Sequence, residues 1–522
     1  MGFNKATIVF PLYLASAPIM AFNWNVSPDL NLTQSYSDNI VIQQQAKESS
    51  WVTQITPGLH IKSTGKHLNF FLNYQITDIS YQSKSQLNDT YDHFNSKLQF
   101  SLFNNKWLTQ ISASKGKQVN NLSNGIRAGK SDFAINRTDI SDYLFSSKFD
   151  SVFTDLFAYH LSLQANKSHS SDNQLNSDAI ASSVTIENPP ETDNSYWNIS
   201  ANNYELTSLQ YSKSQYIRDY QASVGFKFYQ DFWFFIQYFE QDSNLTSTPG
   251  NNIGSSNYGG GLRWFPSNKI DIKIAYNESL DDRYSNFYSL EINLKPSQRT
   301  QLYLVSGKRF YGNYFQGQFS YRLKRLSANI SYNEQISSYS LAQFSSPISG
   351  NLICPNEGEF NLSNCLFSTE LNPTIGVNEQ LISATNFLPE LNYQTYLDKH
   401  FNANISYTKR KLTLFLSHSR VRRTPLETDR EKDERYSSFN IDYQISRRAN
   451  IDFALSLRQS KVDSQLPTAS SAQDRIASLG YSHRFSRLAR AKIQLSHLTR
   501  DGTGSLLSYD ENRISFSLVK EF

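Results

Sequence analysis

The stretch Ile451-Asp452-Phe453-Ala454-Leu455-Ser456-Leu457-Arg458 places an apolar side chain at each odd position, with Asp452, Ala454, Ser456 and Arg458 between them. Successive side chains of an extended strand point to opposite faces. One face of this strand therefore suits hydrocarbon and the other suits water. The same period of two recurs outward in both directions. Leu68, Phe70, Leu72, Tyr74 and Ile76 alternate with Asn69, Phe71, Asn73 and Gln75. Ile270, Ile272, Ile274 and Tyr276 oppose Asp271, Lys273 and Ala275. Phe401, Ala403, Ile405 and Tyr407 oppose Asn402, Asn404, Ser406 and Thr408, and Ala491, Ile493 and Leu495 oppose Lys492, Gln494 and Ser496. Such segments run for about 10 to 14 residues, against the usual 5 to 6 of soluble sheets. A tilted strand needs about 9 to 11 residues to cross a bilayer. Length and alternation together predict an all-β fold: a transmembrane antiparallel β-barrel, apolar outside and polar inside.

Composition agrees. The chain has 522 residues, of which 39% are hydrophobic, and its mean hydropathy is −0.52. That excludes a bundle of membrane helices, which needs repeated apolar runs of roughly 20 residues. Aromatic residues make up 14%, including 31 Tyr and 35 Phe, which excludes global disorder. A net charge of +4 is too near neutral to imply nucleic acid as a partner. The nine His are scattered and no CxxC pair occurs, so neither a metal site nor a cofactor is expected.

Connections alternate in length. Short turns are expected at 63–66, 104–106, 150–151, 230–231, 266–268, 296–298, 323–325, 409–411, 447–449 and 486–488. Longer polar loops are expected at 35–48, 117–137, 242–254, 424–434 and 463–472. Short turns on one side and long loops on the other mark an outer-membrane barrel. The pattern loses a strand between residues 168 and 229. Ile180, Val184 and Ile186 supply it if the total is about 24; otherwise about 22 strands remain. A lumen that wide either conducts or holds a plug. The longest loop, 339–393, is a candidate plug or lid. It carries Cys354 and Cys365, which form a small disulfide loop in an exported protein or stay as two free thiols. Trp51, Trp107, Trp233, Trp264 and Tyr443 are candidates for the aromatic girdles at the membrane surfaces.

Both ends carry signals. Lys5 followed by the small, apolar stretch 6–17 reads as a signal peptide over residues 1–21, with the mature chain starting at Phe22. At the other end Ile514, Phe516 and Leu518 share one face and lead to the terminal Phe522. A last strand ending in Phe resembles the signal read by the outer-membrane barrel assembly machinery. Together they place the chain in the outer membrane of a Gram-negative bacterium, with both termini in the periplasm. The contrary reading is a secreted soluble β protein.

Two motifs point further. Leu32-Thr33-Gln34-Ser35-Tyr36-Ser37-Asp38-Asn39 follows the first strand. Gly307-Lys308-Arg309-Phe310-Tyr311-Gly312-Asn313-Tyr314 precedes Phe319-Ser320-Tyr321-Arg322. They resemble the PEP-CTERM system-associated outer-membrane β-barrel family, with Tyr311 where that family commonly has a second Phe. The resemblance implies association with exosortase sorting and exopolysaccharide; it implies no molecular activity. From the residues themselves, Gly307, Gly312 and Asn313 suit a tight hairpin that needs positive φ. Arg309 then faces the lumen or lipid headgroups, and Phe310 and Tyr311 anchor the rim.

An outer-membrane hydrolase is one rival. Barrel phospholipases use Ser, His and an amide on the outer wall. His418 and His497 end apolar runs on the lipid-facing parity. Their neighbours Ser417, Ser419 and Ser496 point the other way, so a triad needs partners from adjacent strands. No catalytic residue is assigned, and the chain is read as a non-enzyme. Arg420, Arg422, Arg423, Arg430, Lys432 and Arg435, mixed with Glu427, Asp429, Glu431, Asp433 and Glu434, form either a solvated loop or a site for lipopolysaccharide phosphates. The functional expectation is a pore or an export and assembly component for envelope or extracellular polymers. The alternative is a non-conducting scaffold. Expected partners are outer-membrane lipid and lipopolysaccharide, the assembly machinery, and polysaccharide or periplasmic export proteins.

Overall fold

The computed structural model describes residues 23–522 apart from 43, 45, 120–136, 154–156, 172–175, 189–193, 209–213, 245–252, 338–350, 356–365, 369–378, 384–394, 427–430, 463–469 and 504–507. The signal-peptide expectation for residues 1–21 therefore lies outside the described residues.

Twenty-four strands form one antiparallel sheet, each paired to its neighbours in chain order. They are 10 to 17 residues long, long enough to span a bilayer with tilt. The first strand, Asn23–Ser37, pairs with the last, Tyr509–Glu521, from Asp29↔Glu521 to Ser37↔Arg513. That pairing closes the sheet into a barrel and leaves no free edge, the condition for placing strands in hydrocarbon.

Outward and inward faces follow the alternation seen in the sequence. Leu455, Leu479, Ile493, Leu495, Ile274 and Ile236 are exposed on the outer face. Their cross-strand partners share that face, as in Leu455↔Ala477 and Leu479↔Leu495. Trp51, Trp107, Trp264 and Tyr443 are outward and exposed, as expected of girdle residues. Trp233 is a correction: it is 3% exposed and faces inward. Its direct partner is Arg263, whereas the outward Phe234 pairs with Leu262.

The uncertain region resolves to 24 strands. Ser177–Glu187 is a strand between Phe157–Ser170 and Ser195–Ser208, with Ile180, Val184 and Ile186 outward. The connection 188–194, on the short-turn side, is as long as several loops on the other side. This blurs the length alternation that otherwise identifies each turn. The turn expected at 150–151 is a second correction. Those residues lie inside Arg137–Phe153 and pair with Tyr159 and His160.

Several short turns take left-handed backbone, at Gln230 and Arg410 as well as in the turn that follows Leu102. Asn104 and Asn105 have φ of 56° and 68°. In the long connection 338–395, three short strands, Asn351–Pro355, Leu366–Ser368 and Glu379–Ser383, form a separate small sheet. Cys354 lies on the first of them, opposite Gln380. Cys365 lies outside the described residues, and so does the pairing expected of the two.

Candidate functional site

The inner wall carries charge at its long-loop end. Asp398, Arg423, Glu434, Arg458, Asp474, Arg500, Glu511 and Arg513 come from seven consecutive strands of the barrel. Their signs alternate around the wall. Asp398↔Arg423, Arg458↔Asp474 and Asp474↔Arg500 are direct cross-strand pairs. Glu434 sits at the centre of one half. Arg423 Nη1 lies 2.9 Å from its Oε2, and Arg458 Nη2 lies 3.1 Å from its Oε1. Arg500 lies 3.6 Å from Asp474, and Arg513 lies 3.1 Å from Glu511. The Ser37 hydroxyl donates to Glu511 at 2.6 Å across the closing seam.

These charges are almost dry, with Glu511 at 0% and Arg500 at 2% exposure. Burying a charge is costly unless it is paired, which accounts for the alternating order. Part of the cover is the first long loop: Ile42 packs against Leu498, Tyr509 and Ile476 on this wall. Ile40 packs beside it against Val52, Ile79 and Tyr81.

A second inward cluster lies at the short-turn end. Trp233 and Phe235 pack with Tyr196 and Ala275, with Phe265 beside them. Arg263 holds Asp271 through two bonds of 2.7 Å. Its guanidinium lies 4.5 Å from the Tyr196 ring centre and 4.6 Å from that of Phe265. The Tyr196 ring lies over Gly225, where any Cβ would collide with it. Sequence reasoning missed this cluster. Its available signal is Phe232-Trp233-Phe234-Phe235, apolar on both parities; Phe235 lies opposite Gly261 on one side and Gly225 on the other.

The 307–314 motif is a hairpin. Phe310 and Tyr311 are its two-residue turn between Thr300–Arg309 and Gly312–Arg322. Gly312 alone in the motif takes positive φ, 112°; Gly307 is an ordinary strand residue paired with Tyr314, and Asn313 pairs with Lys308. The tip is short for the long-loop end and is pinned. The Tyr284 hydroxyl donates to the Phe310 carbonyl at 2.8 Å, and the Tyr311 hydroxyl donates to the Glu334 carbonyl at 3.2 Å. Burial pushes the Tyr311 phenol well above its ordinary pKa. Arg309 lies 4.1 Å from the Phe239 ring centre and 4.9 Å from that of Tyr314. Phe239 and Gln241 alternate with the outward Tyr238, so Arg309 faces the lumen.

Parity divides the charged run 420–435. Arg423, Lys432 and Glu434 face inward and are ion-paired there. Arg420, Arg422 and Arg435 face outward; the Arg420↔Arg435 pair lies four residue pairs along the register from the outward Leu416↔Phe439. Asp433 bridges Arg420 at 2.7 Å and Arg435 at 3.0 Å, and Arg422 meets Glu431 at 2.8 Å. Lys399 pairs with Arg422 in register and lies 3.3 Å from Glu334 on its other side. Glu427, Asp429 and Arg430 lie outside the described residues. Elsewhere on the outer wall the same level is acidic: the hydroxyls of Tyr238 and Tyr258 donate to Glu240 and Glu278 at 2.8 and 2.7 Å.

Ser417 and Ser419 are fully buried on the inner face, while His418 points outward to the Ser437 hydroxyl at 2.9 Å. Phe516 is outward and exposed, Leu518 pairs with the outward Leu32, and the Phe522 amide donates to the Pro28 carbonyl at 2.9 Å. Among the described residues no group of three or more His, Cys, Asp or Glu is placed to hold a metal ion.

No family model and no curated protein matches this chain. It is similar to solved barrels at low identity. A ferric enterobactin receptor mutant from Pseudomonas aeruginosa shares 10% identity at a TM-score of 0.41, covering 95% of this chain and 80% of that one. The siderophore receptor PirA from Acinetobacter baumannii gives 8% and 0.44 over 95% and 80%. A loop-deletion mutant of OmpT, an outer membrane protein of Vibrio cholerae, gives 10% and 0.31 over 96% and 100%. Likeness at this level says nothing about cargo.

Proposed function

We propose that this chain is an integral outer-membrane β-barrel of a Gram-negative bacterium whose lumen passes hydrophilic envelope or extracellular polymers. The supporting observation is a closed barrel of 24 strands with an apolar outer face and an inner wall of paired, alternating charges. A lumen of that circumference admits large solutes. Balanced signs hold water and hydroxyl-rich chains without the one-sign field that selects ions. The hairpin at Arg309 to Asn313 is the further ground for the PEP-CTERM and exopolysaccharide setting. The outward group of Arg420, Arg422 and Arg435 suits the phosphates of lipopolysaccharide, and Phe516, Leu518 and Phe522 suit the barrel assembly machinery. No catalytic step is assigned to the lumen.

A non-conducting scaffold is the second reading. It is favoured by the packing of Ile40 and Ile42 onto the inner wall at the long-loop end.

Conductance of the refolded chain in a planar bilayer separates the two, recorded with and without reductant. Large steady openings are expected of the passage. A rise on reduction assigns a closing role to Cys354 and Cys365. A barrel that inserts and stays silent in both conditions sinks the passage and leaves the scaffold. A chain that never inserts sinks the membrane reading itself.

A further inference from the structure

We infer that the outer wall carries a carboxylic-ester hydrolase site, with Thr499 as nucleophile and His497 as general base, acting on acyl esters of lipids in the adjoining leaflet. This site is separate from the lumen and does not depend on what the lumen passes.

Thr499 and His497 lie two apart on Ala489–Gly502 and share its outward face with Leu495 and Ile493. The Thr499 hydroxyl lies 3.0 Å from His497 Nε2, and His497 Nδ1 lies 2.8 Å from Asn512 Oδ1. Asn512 is the direct cross-strand partner of His497. Its amide cannot flip freely. Asn512 Nδ2 donates to Asp38 Oδ2 at 2.7 Å, and its backbone N–H donates to Asp38 Oδ1 at 2.8 Å. Asp38 thus turns the amide oxygen towards the imidazole. Oδ1 can only accept, so it fixes the proton on Nδ1. Nε2 then presents its lone pair to the Thr499 hydroxyl. These are the tautomer and orientation that activate a hydroxyl nucleophile. Thr499 and His497 are the catalytic pair; Asn512 and Asp38 are positioning residues. His418 also meets a hydroxyl, that of Ser437, on its Nδ1, and among the described residues no amide orients its Nε2.

Place and charge name the substrate class. Thr499 lies four residue pairs beyond Leu495, at the upper edge of the apolar face, where the ester groups of a bilayer leaflet sit. Its cross-strand neighbours are Asp510, ion-paired with Lys47, on the seam side and Arg475, 3.4 Å from Asp501, on the other. Arg475 and Lys47, each paired with a carboxylate at rest, are the cations the site offers to the negative charge that develops on an ester oxygen. In the first step Thr499 Oγ1 bonds to the ester carbonyl carbon and its proton moves to Nε2. The carbon–oxygen bond to the lipid alcohol breaks, and that oxygen takes the proton from Nε2. Water then attacks the acyl-threonine, its proton passing through Nε2 to Thr499 Oγ1, and a fatty acid leaves.

The test uses the refolded full chain in mixed micelles with dipalmitoylphosphatidylethanolamine, and separately with hexadecanesulfonyl fluoride. Folding is checked by the heat shift in gel mobility. The wild type is expected to release palmitate and to take one sulfonyl group on Thr499. Thr499→Val and His497→Gln are each expected to lose at least about a thousandfold in kcat. Thr499→Ser should keep the activity. Asn512→Ala should lower kcat at unchanged KM, and Asn512→Asp, which sets a second carboxylate against Asp38 in place of the amide donor, should not restore it. Arg218→Gln, on a distant part of the outer wall, should change nothing. A folded wild type that neither hydrolyses nor labels overturns the assignment. So does activity that survives Thr499→Val but is lost in Ser437→Ala.

Discussion

Replacing Leu455 by arginine puts a charge where the structure places hydrocarbon. Leu455 is 43% exposed on the outer face, flanked in register by Phe439 and Ala477. The outward apolar run on its strand, Ile451 to Leu457, covers six steps, about 20 Å along the chain at roughly 3.4 Å per residue. A tilt of about 40° reduces that to about 15 Å of height. Leu455 lies within a few ångströms of the middle. An arginine there should cost about 2 to 4 kcal/mol, the mid-bilayer range for a lipid-facing cation. The comparison is Ser456→Arg, one residue on, whose side chain enters the polar lumen and should cost under about 1 kcal/mol. Reversible urea unfolding of both variants in lipid vesicles gives the two values directly. Equal costs, or a larger cost at Ser456, would refute the face assignment and with it the transmembrane reading.

Further outcomes follow from named contacts. With each of the six Trp kept singly, brominated acyl chains should quench Trp51, Trp107 and Trp264 strongly and Trp233 little; equal quenching would deny Trp233 its inward place. Arg263→Ala leaves Asp271 without its two bonds and Tyr196 without its cation, and should cost about 3 to 5 kcal/mol in the same unfolding assay. A loss below 1 kcal/mol would mean that water reaches the pair. In the loop between Ile270–Ser279 and Phe287–Ser297, hydrogen bonds from Arg283 hold the Asp281 carboxyl down at about 2, from the usual 3.8. The folded value is lowered, so the contribution of this pair is complete above pH 3.8 and fades as pH falls through about 2. A carboxyl titration of Asp281 near 3.8 in the folded protein would contradict the pairing.

Period-two alternation made the fold legible, because a strand between lipid and water must separate its side chains by parity. Leu68 to Ile76 and Ile451 to Leu457 lie on the outer face as that rule demands. Asp452 and Lys492 meet inside, 2.9 Å apart. The rule fails where both parities are apolar. Trp233 reads as a girdle residue, yet it fills an inward cluster with Phe235, which lies between Gly225 and Gly261 where no local pattern places it. The 24th strand stayed ambiguous because connection length, unlike parity, is not fixed by physics. Neither Asp38 near Asn512 nor Thr499 near Arg475 was visible, since seam and register set those distances.

The run from Arg420 to Arg435 shows what parity decides that composition cannot. Its bases and acids read as one mixed patch, either solvated or bound to phosphates. In the barrel, neighbours one residue apart belong to different solvents. Arg423 and Glu434 enter the inner belt, where low exposure makes each charge depend on its partner. Arg420, Arg422 and Arg435 stay outside, where two guanidiniums share one carboxylate, Asp433. An acid shared by two bases leaves positive charge over. The charges of the inner belt cancel in pairs, while the outer patch keeps a surplus of positive charge. One stretch of sequence thus serves both walls, and the two roles separate by mutation. Charge reversal at Glu434 should disturb folding, whereas neutralising Arg420 and Arg435 should leave the fold intact and change only what the outer wall attracts.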